Sequence, residues 1–108
     1  MFTKTEKRCL SGGYFAIIRE DPKFIEVESK CTSHRWMIFK KTYDPNMPVV
    51  LYHKHSKDEE WYHEQCRNWT VRDAVRVIKQ HDSYVVTHPN YLEKKRKARY
   101  YARKQSRA

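Results

Sequence analysis

Glycine is almost absent from this chain of 108 residues: Gly12 and Gly13, side by side, are its only two. A glycine-rich phosphate loop and the nucleophile elbow of serine hydrolases both need glycines at fixed spacings, because the backbone there must turn sharply or pass close to a ligand. Neither motif can be built from this sequence. The adjacent pair instead predicts a turn near the start of the chain.

Long apolar runs are absent as well. No stretch approaches the roughly 18 to 20 residues of a membrane-spanning helix, and the first ten residues contain three basic side chains with no apolar segment behind them, unlike a signal peptide. The odd number of cysteines argues against a disulfide framework. We therefore expect a cytoplasmic protein with free thiols and no membrane partner. The three cysteines are Cys9, Cys31 and Cys66.

Acidic residues are nearly missing from the C-terminal end. Residues 93–108 contain one acid and eight bases, a net charge of +7 out of +10 for the whole chain. Lysine and arginine neutralise phosphates and release counterions, and tyrosine rings can stack on exposed bases. We therefore predict that this segment binds nucleic acid. The residues concerned are Lys94, Lys95, Arg96, Lys97, Arg99, Tyr100, Tyr101, Arg103, Lys104 and Arg107.

The pattern of apolar residues changes from strand-like to helical along the chain. Apolar or alternating runs predict strands over residues 14–19, 24–31 and 34–41, and a fourth strand that begins at Val49. Val71, Ala74, Val75 and Ile78 follow the helical period and predict a helix over 71–81. A short β-favouring run at 84–87 is a candidate fifth, edge strand. The sequence thus predicts an α+β fold, with a four- or five-stranded antiparallel sheet packed by one amphipathic helix.

These elements divide the chain into three segments. We expect residues 1–12 to be flexible, residues 13–89 to form a compact domain, and residues 90–108 to form a basic extension, helical in part and capped by Asn90. A sheet followed by a helix broadly resembles the DNA-binding modules of some integrases and plant transcription factors. The resemblance concerns architecture alone, and no motif supports the transfer of residue roles.

Histidine and cysteine concentrate between residues 53 and 66. His53 and His55 would share one face of a strand, while His63 and Cys66 would share one face if residues 58–66 were helical. Imidazole and thiolate are the usual zinc ligands, so His53, His55, His63 and Cys66 are candidates for a metal site. The competing interpretation is that these histidines are solvated and neutralised by the acids at 58–60. His81 falls in the last turn of the predicted helix, where the helix dipole favours a structural role.

The function that the sequence favours is non-catalytic binding of nucleic acid, with the basic C-terminal segment on the phosphates. Trp61, Tyr62 and Trp69 are candidates for base stacking. No cofactor is expected, unless the histidine cluster binds zinc. The first alternative is a small inhibitor or accessory factor that docks on an acidic protein surface. The second is a metal-dependent nuclease that uses the cluster of His53, His55 and His63. DNA and RNA remain equally open.

Overall fold

Five consecutive strands form a single antiparallel sheet in the computed structural model, which describes residues 2–41 and 45–88. Each strand pairs with the next one along the chain, and the first four lie where the sequence predicted them. The predicted α+β class with an antiparallel sheet is therefore confirmed. The strands are β1 (Phe15–Glu20), β2 (Phe24–Ser29), β3 (Arg35–Lys40), β4 (Val49–Lys54) and β5 (His63–Asn68).

The N-terminal segment contains a short helix. Helix α1 (Lys4–Cys9) begins with a capping box in which the Glu6 amide donates to Thr3 Oγ1 at 3.1 Å and the Thr3 amide donates to Glu6 Oε1 at 2.8 Å. Phe2 and Leu10, at either end of this helix, are buried in the core, so both ends of α1 pack against the domain. The flexibility expected for residues 1–12 stays a prediction.

The fifth strand is formed by residues 63–68 and not by the predicted run at 84–87. The sequence of β5 has almost no apolar alternation, and a helix was considered for residues 58–66. Pairing with β4 holds it as a strand, with Leu51 opposite Cys66 and His53 opposite His63. The register shifts between Leu51 and Tyr52, so β5 carries one extra residue there.

Helix α2 (Val71–Thr87) covers one face of the sheet. Thr70 caps it by accepting a hydrogen bond from the Asp73 amide at 3.1 Å. The helix continues past residue 81, so the predicted edge strand at 84–87 is wrong. These residues are mostly exposed, and helical hydrogen bonds override their β propensity, among them the bonds that Thr87 Oγ1 donates to the carbonyl oxygens of Ser83 and Tyr84. Within the described ranges, neither helix has the length and apolar character needed to cross a membrane.

The core lies between the sheet and the two helices. Its side chains come from alternate positions of the strands and from one stripe of α2, as the two backbone periods require. The predicted basic extension at 90–108 lies outside the described residues. The buried apolar residues that contact one another in this core are Phe2, Leu10, Phe15, Ile25, Val27, Trp36, Ile38, Val49, Leu51, Val71, Ala74, Val75 and Ile78.

Candidate functional site

Five of the six histidines gather at one end of the core. His53 is at their centre, with ring centroids 5.0 Å from His34, 5.0 Å from His55, 5.3 Å from His63 and 4.7 Å from His81. Antiparallel pairing brings the start of β3 and the start of β5 beside the end of β4, and the second half of α2 lies over this end. The sheet and the helix together therefore assemble the cluster.

Three of these rings form an inner triad of His34, His53 and His81. One nitrogen from each ring lies within 4.8 Å of the other two, and His34 Nδ1 shares a hydrogen bond of 2.9 Å with His53 Nε2. His34 and His53 are each only 1% exposed, and the Nδ1 atom of His81 is buried. Trp36 stacks on His53 with a centroid separation of 4.0 Å, which fixes the orientation of that ring.

The environment keeps the rings of His34 and His53 uncharged. Burial lowers the pKa of His34 to about 4, with help from the neighbouring His81 and His55. Burial and the surrounding histidines, His81 first among them, lower the pKa of His53 to about 2. Both rings are consequently neutral at pH 7, the form in which imidazole has a free nitrogen lone pair.

The outer histidines lie towards solvent. His55 Nδ1 bonds to Glu59 Oε1 at 2.7 Å, and His63 is exposed. The structure thus brings together the predicted His53, His55 and His63, with the ring centroids of His55 and His63 6.0 Å apart. Cys66 lies further along β5, opposite Leu51, where it packs against the apolar core and its Sγ accepts a hydrogen bond from Asn68 Nδ2.

Sequence reasoning missed His34 and His81 as members of the cluster. Two signals pointed to them. The predicted strand at 34–41 and the strand that begins at Val49 are expected to pair antiparallel. His34, at the start of the first strand, then lies near the end of the second. His81 follows Ile78 by three residues and so continues the buried stripe of the helix.

A buried carboxylate lies beside the triad. Asp82 is 1% exposed and accepts hydrogen bonds from Tyr14 Oη at 2.7 Å and from Thr32 Oγ1 at 3.0 Å. It is close enough to His34 to act on the pKa of that ring. Burial and the bond to Asp82 raise the pKa of Tyr14, so the phenol stays protonated and remains a donor. The buried Asp82 carboxyl group therefore lies beside the His34 ring.

The outer face of α2 is cationic. Arg72, Arg76 and Lys79 are exposed at positions i, i+4 and i+7, so they form one row along the helix. They line a shallow depression of about 560 Å³, together with Val75, Gln80 and Ser83. Asp73, one turn before Arg76, forms a long and exposed ion pair with it, with Oδ1 4.0 Å from Nη1. The row therefore presents positive charge to solvent.

The three aromatic residues predicted to stack on bases differ in exposure. Trp61 is 76% exposed and Trp69 is 54% exposed. Tyr62 is only partly exposed, because its hydroxyl donates to Glu26 Oε2 at 2.6 Å and Lys54 Nζ lies 4.7 Å from its ring centroid. Trp69 directly precedes the cap of α2, at the start of the cationic row. The ten residues predicted to bind phosphates between 94 and 107 lie outside the described ranges.

The protein is thus an α+β domain with two distinctive regions. One is the cationic outer face of α2, and the other is the histidine cluster at the end of the core that α2 covers. No protein-family model, no curated protein and no solved structure matches the chain. What the protein does has to be inferred from the chemistry of these two regions.

Proposed function

We propose that the protein binds nucleic acid without catalysing a reaction, and that the outer face of α2 contacts phosphates together with the basic C-terminal segment. The observation that carries this proposal is the exposed row of Arg72, Arg76 and Lys79. All three side chains are exposed, and Lys79 also lies over the Tyr14 ring, with Nζ 5.0 Å from its centroid. The charge of the row is therefore available to a partner. A partner with regularly spaced negative charge suits it best.

The dimensions of the row suit a phosphate backbone. Seven residues separate Arg72 from Lys79, which corresponds to about 10 Å along a helix with a rise of about 1.5 Å per residue. One strand of B-DNA has a negative charge about every 3.4 Å along its axis. A helix of this length can therefore bring its cations to neighbouring phosphates of one strand.

Covalent connection keeps the two basic regions close together. Lys94 follows Thr87, the last residue of α2, by seven positions. A fully extended chain gains at most about 3.6 Å per residue, so Lys94 stays within about 25 Å of the helix end. The net charge of +7 on residues 93–108 therefore adds to the field of the helix row.

Exposed tryptophan beside the row supports contact with unpaired bases. Trp69 leaves half of a large apolar ring in water three residues before Arg72. Base–aromatic stacking contributes about 1–3 kcal/mol per base in proteins that bind single strands. A single-stranded region is therefore the form of nucleic acid in which both the row and the indole have a partner.

The burial of the histidines favours binding over catalysis. A phosphodiester must reach a metal ion or a general base before it can be cleaved. His34 and His53 are each 1% exposed, and Trp36 covers one face of His53. The nuclease alternative would have to depend on the outer His55 and His63.

Fluorescence anisotropy with labelled single-stranded and duplex oligonucleotides tests the proposal. We expect salt-dependent binding that weakens in R72Q/R76Q, with the slope of log K against log salt falling in magnitude by about 1.4–1.8, because two phosphate contacts are lost. K23Q/K57Q is the matched control, since it removes the same charge from exposed positions elsewhere. K94Q/K95Q/R96Q/K97Q should weaken binding further.

Two results would contradict the proposal. If R72Q/R76Q and K23Q/K57Q bound the oligonucleotides with equal affinity, the helix would not be part of the interface. Absence of binding to either oligonucleotide at low salt would favour the alternative of a protein partner with an acidic surface.

A further inference from the structure

We propose that His34, His53 and His81 bind a single Zn²⁺ ion at the junction of the sheet and α2. This inference goes beyond nucleic-acid binding and does not depend on it. The predicted metal site shared only His53 with this set. The other two ligands were recognised because the fold brings them together.

The separations of the ring nitrogens suit a metal ion. One nitrogen of each ring lies within 4.8 Å of the other two, and His34 Nδ1 and His53 Nε2 are 2.9 Å apart. Tetrahedral Zn²⁺ with Zn–N bonds of roughly 2.0–2.1 Å places its ligand nitrogens about 3.3 Å apart. That value lies inside the observed range, so small side-chain rotations are enough to form the site. A water molecule can take the fourth position, which three protein ligands leave open.

The three ligands come from three separate parts of the fold. His34 lies in the connection between β2 and β3, His53 is on β4, and His81 is on α2. An ion bound to all three would cross-link the helix to the sheet. Since such a site is assembled only in the folded chain, metal binding would stabilise the fold.

The buried position of the rings supports a bound ligand. His34 and His53 are as completely buried as Ile78 and Trp36 beside them. A polar ring in an apolar core is costly unless its nitrogens have partners. Leucine or phenylalanine would fill this end of the core at lower cost, whereas a metal ion gives each imidazole a strong bond.

Asp82 supplies charge for the ion. This carboxylate is 1% exposed, and its hydrogen-bond donors among the described residues are the neutral hydroxyls of Tyr14 and Thr32. A buried negative charge is stable when an opposite charge lies near it. A dication held by the adjacent His81 would provide that charge, while Asp82 would offset part of the charge of the ion.

The donor set identifies the class of metal. Mg²⁺ and Ca²⁺ need oxygen ligands, and three imidazoles offer only nitrogen. Zinc has no geometric preference from its d electrons, so it accepts the arrangement that the sheet and helix impose. Towards solvent, Glu59 holds His55 through Nδ1, which fixes the ring beside His53 and shields the site.

Metal titration of the full-length, metal-free protein tests the proposal. We expect Co²⁺ to bind in a single step, to give the visible absorption of a tetrahedral site, and to be displaced by Zn²⁺. The unfolding temperature should rise with Zn²⁺ and stay constant with Mg²⁺. H81Q should bind Co²⁺ at least about tenfold more weakly, since it removes a ligand.

The matched control is H88Q. His88 lies just beyond the end of α2, is exposed, and stacks on Tyr84 at 4.0 Å, outside the cluster. We expect this variant to bind Co²⁺ as the unmodified protein does. Equal binding by H81Q and H88Q would overturn the proposal, and so would a lack of Co²⁺ binding by the unmodified protein.

A measurement without substitutions covers the case in which H81Q does not fold. In the unmodified protein, Zn²⁺ should shift the imidazole NMR signals of His34, His53 and His81 and leave that of His88 in place. Unchanged signals would overturn the proposal. Neither assay contains an oligonucleotide, so a failure here is distinguishable from a failure of nucleic-acid binding.

Discussion

The two ends of the single core are held in different ways. Along α2, the buried residues from Val71 to Ile78 are apolar, whereas His81 and Asp82 further on are polar. The sheet changes in the same direction along β4, from Val49 and Leu51 to His53. The same buried face of α2 thus covers both the apolar end and the histidine end of the core.

This difference separates two kinds of stability. Burial of apolar area contributes roughly 25 cal/mol per Å² and does not depend on direction, pH or ligands. Buried polar groups contribute only while their hydrogen bonds or metal bonds are made, and they are costly when a partner is lost. The apolar end should therefore supply most of the free energy of unfolding. The contribution of the histidine end should depend on whether its hydrogen bonds or metal bonds are made.

The largest effect is expected at the apolar end. Leu51 is fully buried and lies between Ile38 and Cys66 on the neighbouring strands, so Leu51→Ala should leave a cavity and cost about 2–5 kcal/mol of unfolding free energy. Urea denaturation measures the loss. Ile17→Ala is the control, because Ile17 is 45% exposed on β1 and should lose much less. Similar losses for the two variants would contradict this location of the core.

A smaller and non-additive effect is expected at the histidine end. In chelator-treated protein, His34→Leu should cost about 1–3 kcal/mol, because His53 Nε2 loses its partner at 2.9 Å in a buried site. His34→Leu/His53→Leu should cost less than the sum of the single variants, since neither nitrogen is then left unpaired. A double-mutant cycle from urea denaturation checks this. Strictly additive costs would show that the two rings do not interact.

The smallest effect on the free energy of unfolding is expected for the ion pair between Glu6 of α1 and Lys40, at the edge of the apolar end. Burial alone would raise the pKa of Glu6, but the bond from Lys40 Nζ at 2.7 Å and the bonds from Thr3 outweigh it, and the pKa falls below its ordinary value of 4.5. The ion pair therefore stabilises the fold above pH 4.5, and this contribution is lost as pH falls through the lowered pKa.

Glu6→Gln should consequently cost at most about 1 kcal/mol at pH 7. We expect the difference from the unmodified protein, measured by urea denaturation, to shrink as the pH is lowered below 4.5 and Glu6 takes up a proton. A difference that stayed constant from pH 7 to pH 3 would mean that the capping hydrogen bonds, and not the charge, are responsible.

Local patterns explain which parts of the fold could be predicted. The first four strands and the start of α2 have regular periods and a cap, so the sequence is sufficient to locate them. The continuation of α2 depends on Asp82, whose partners Tyr14 and Thr32 are 68 and 50 residues away along the chain. Similarly, β5 is a strand because β4 offers it backbone partners. No local pattern contains such information.

The same reasoning applies to the histidines. The spacing of His53, His55 and His63 was visible along the chain, and the fold keeps these three together. His34 joins them through the pairing of β3 with β4, and His81 joins them through the packing of α2 on the sheet. Both are tertiary properties. Cys66 was grouped with His63 on the premise of a helix, and in β5 it lies in the apolar part of the core instead.

The open arrangement of the sheet leaves two strands, β1 and β5, with one side available to other chains. Both are irregular, since the pairing of β1 shifts between Ile17 and Arg19 and that of β5 shifts along β4. Irregular, charged edges resist the strand-by-strand stacking that leads to aggregates. Ile17 and Ile18 expose 45% and 40% of their surface, so β1 is the edge where fibrillar association would begin if the neighbouring charges were removed.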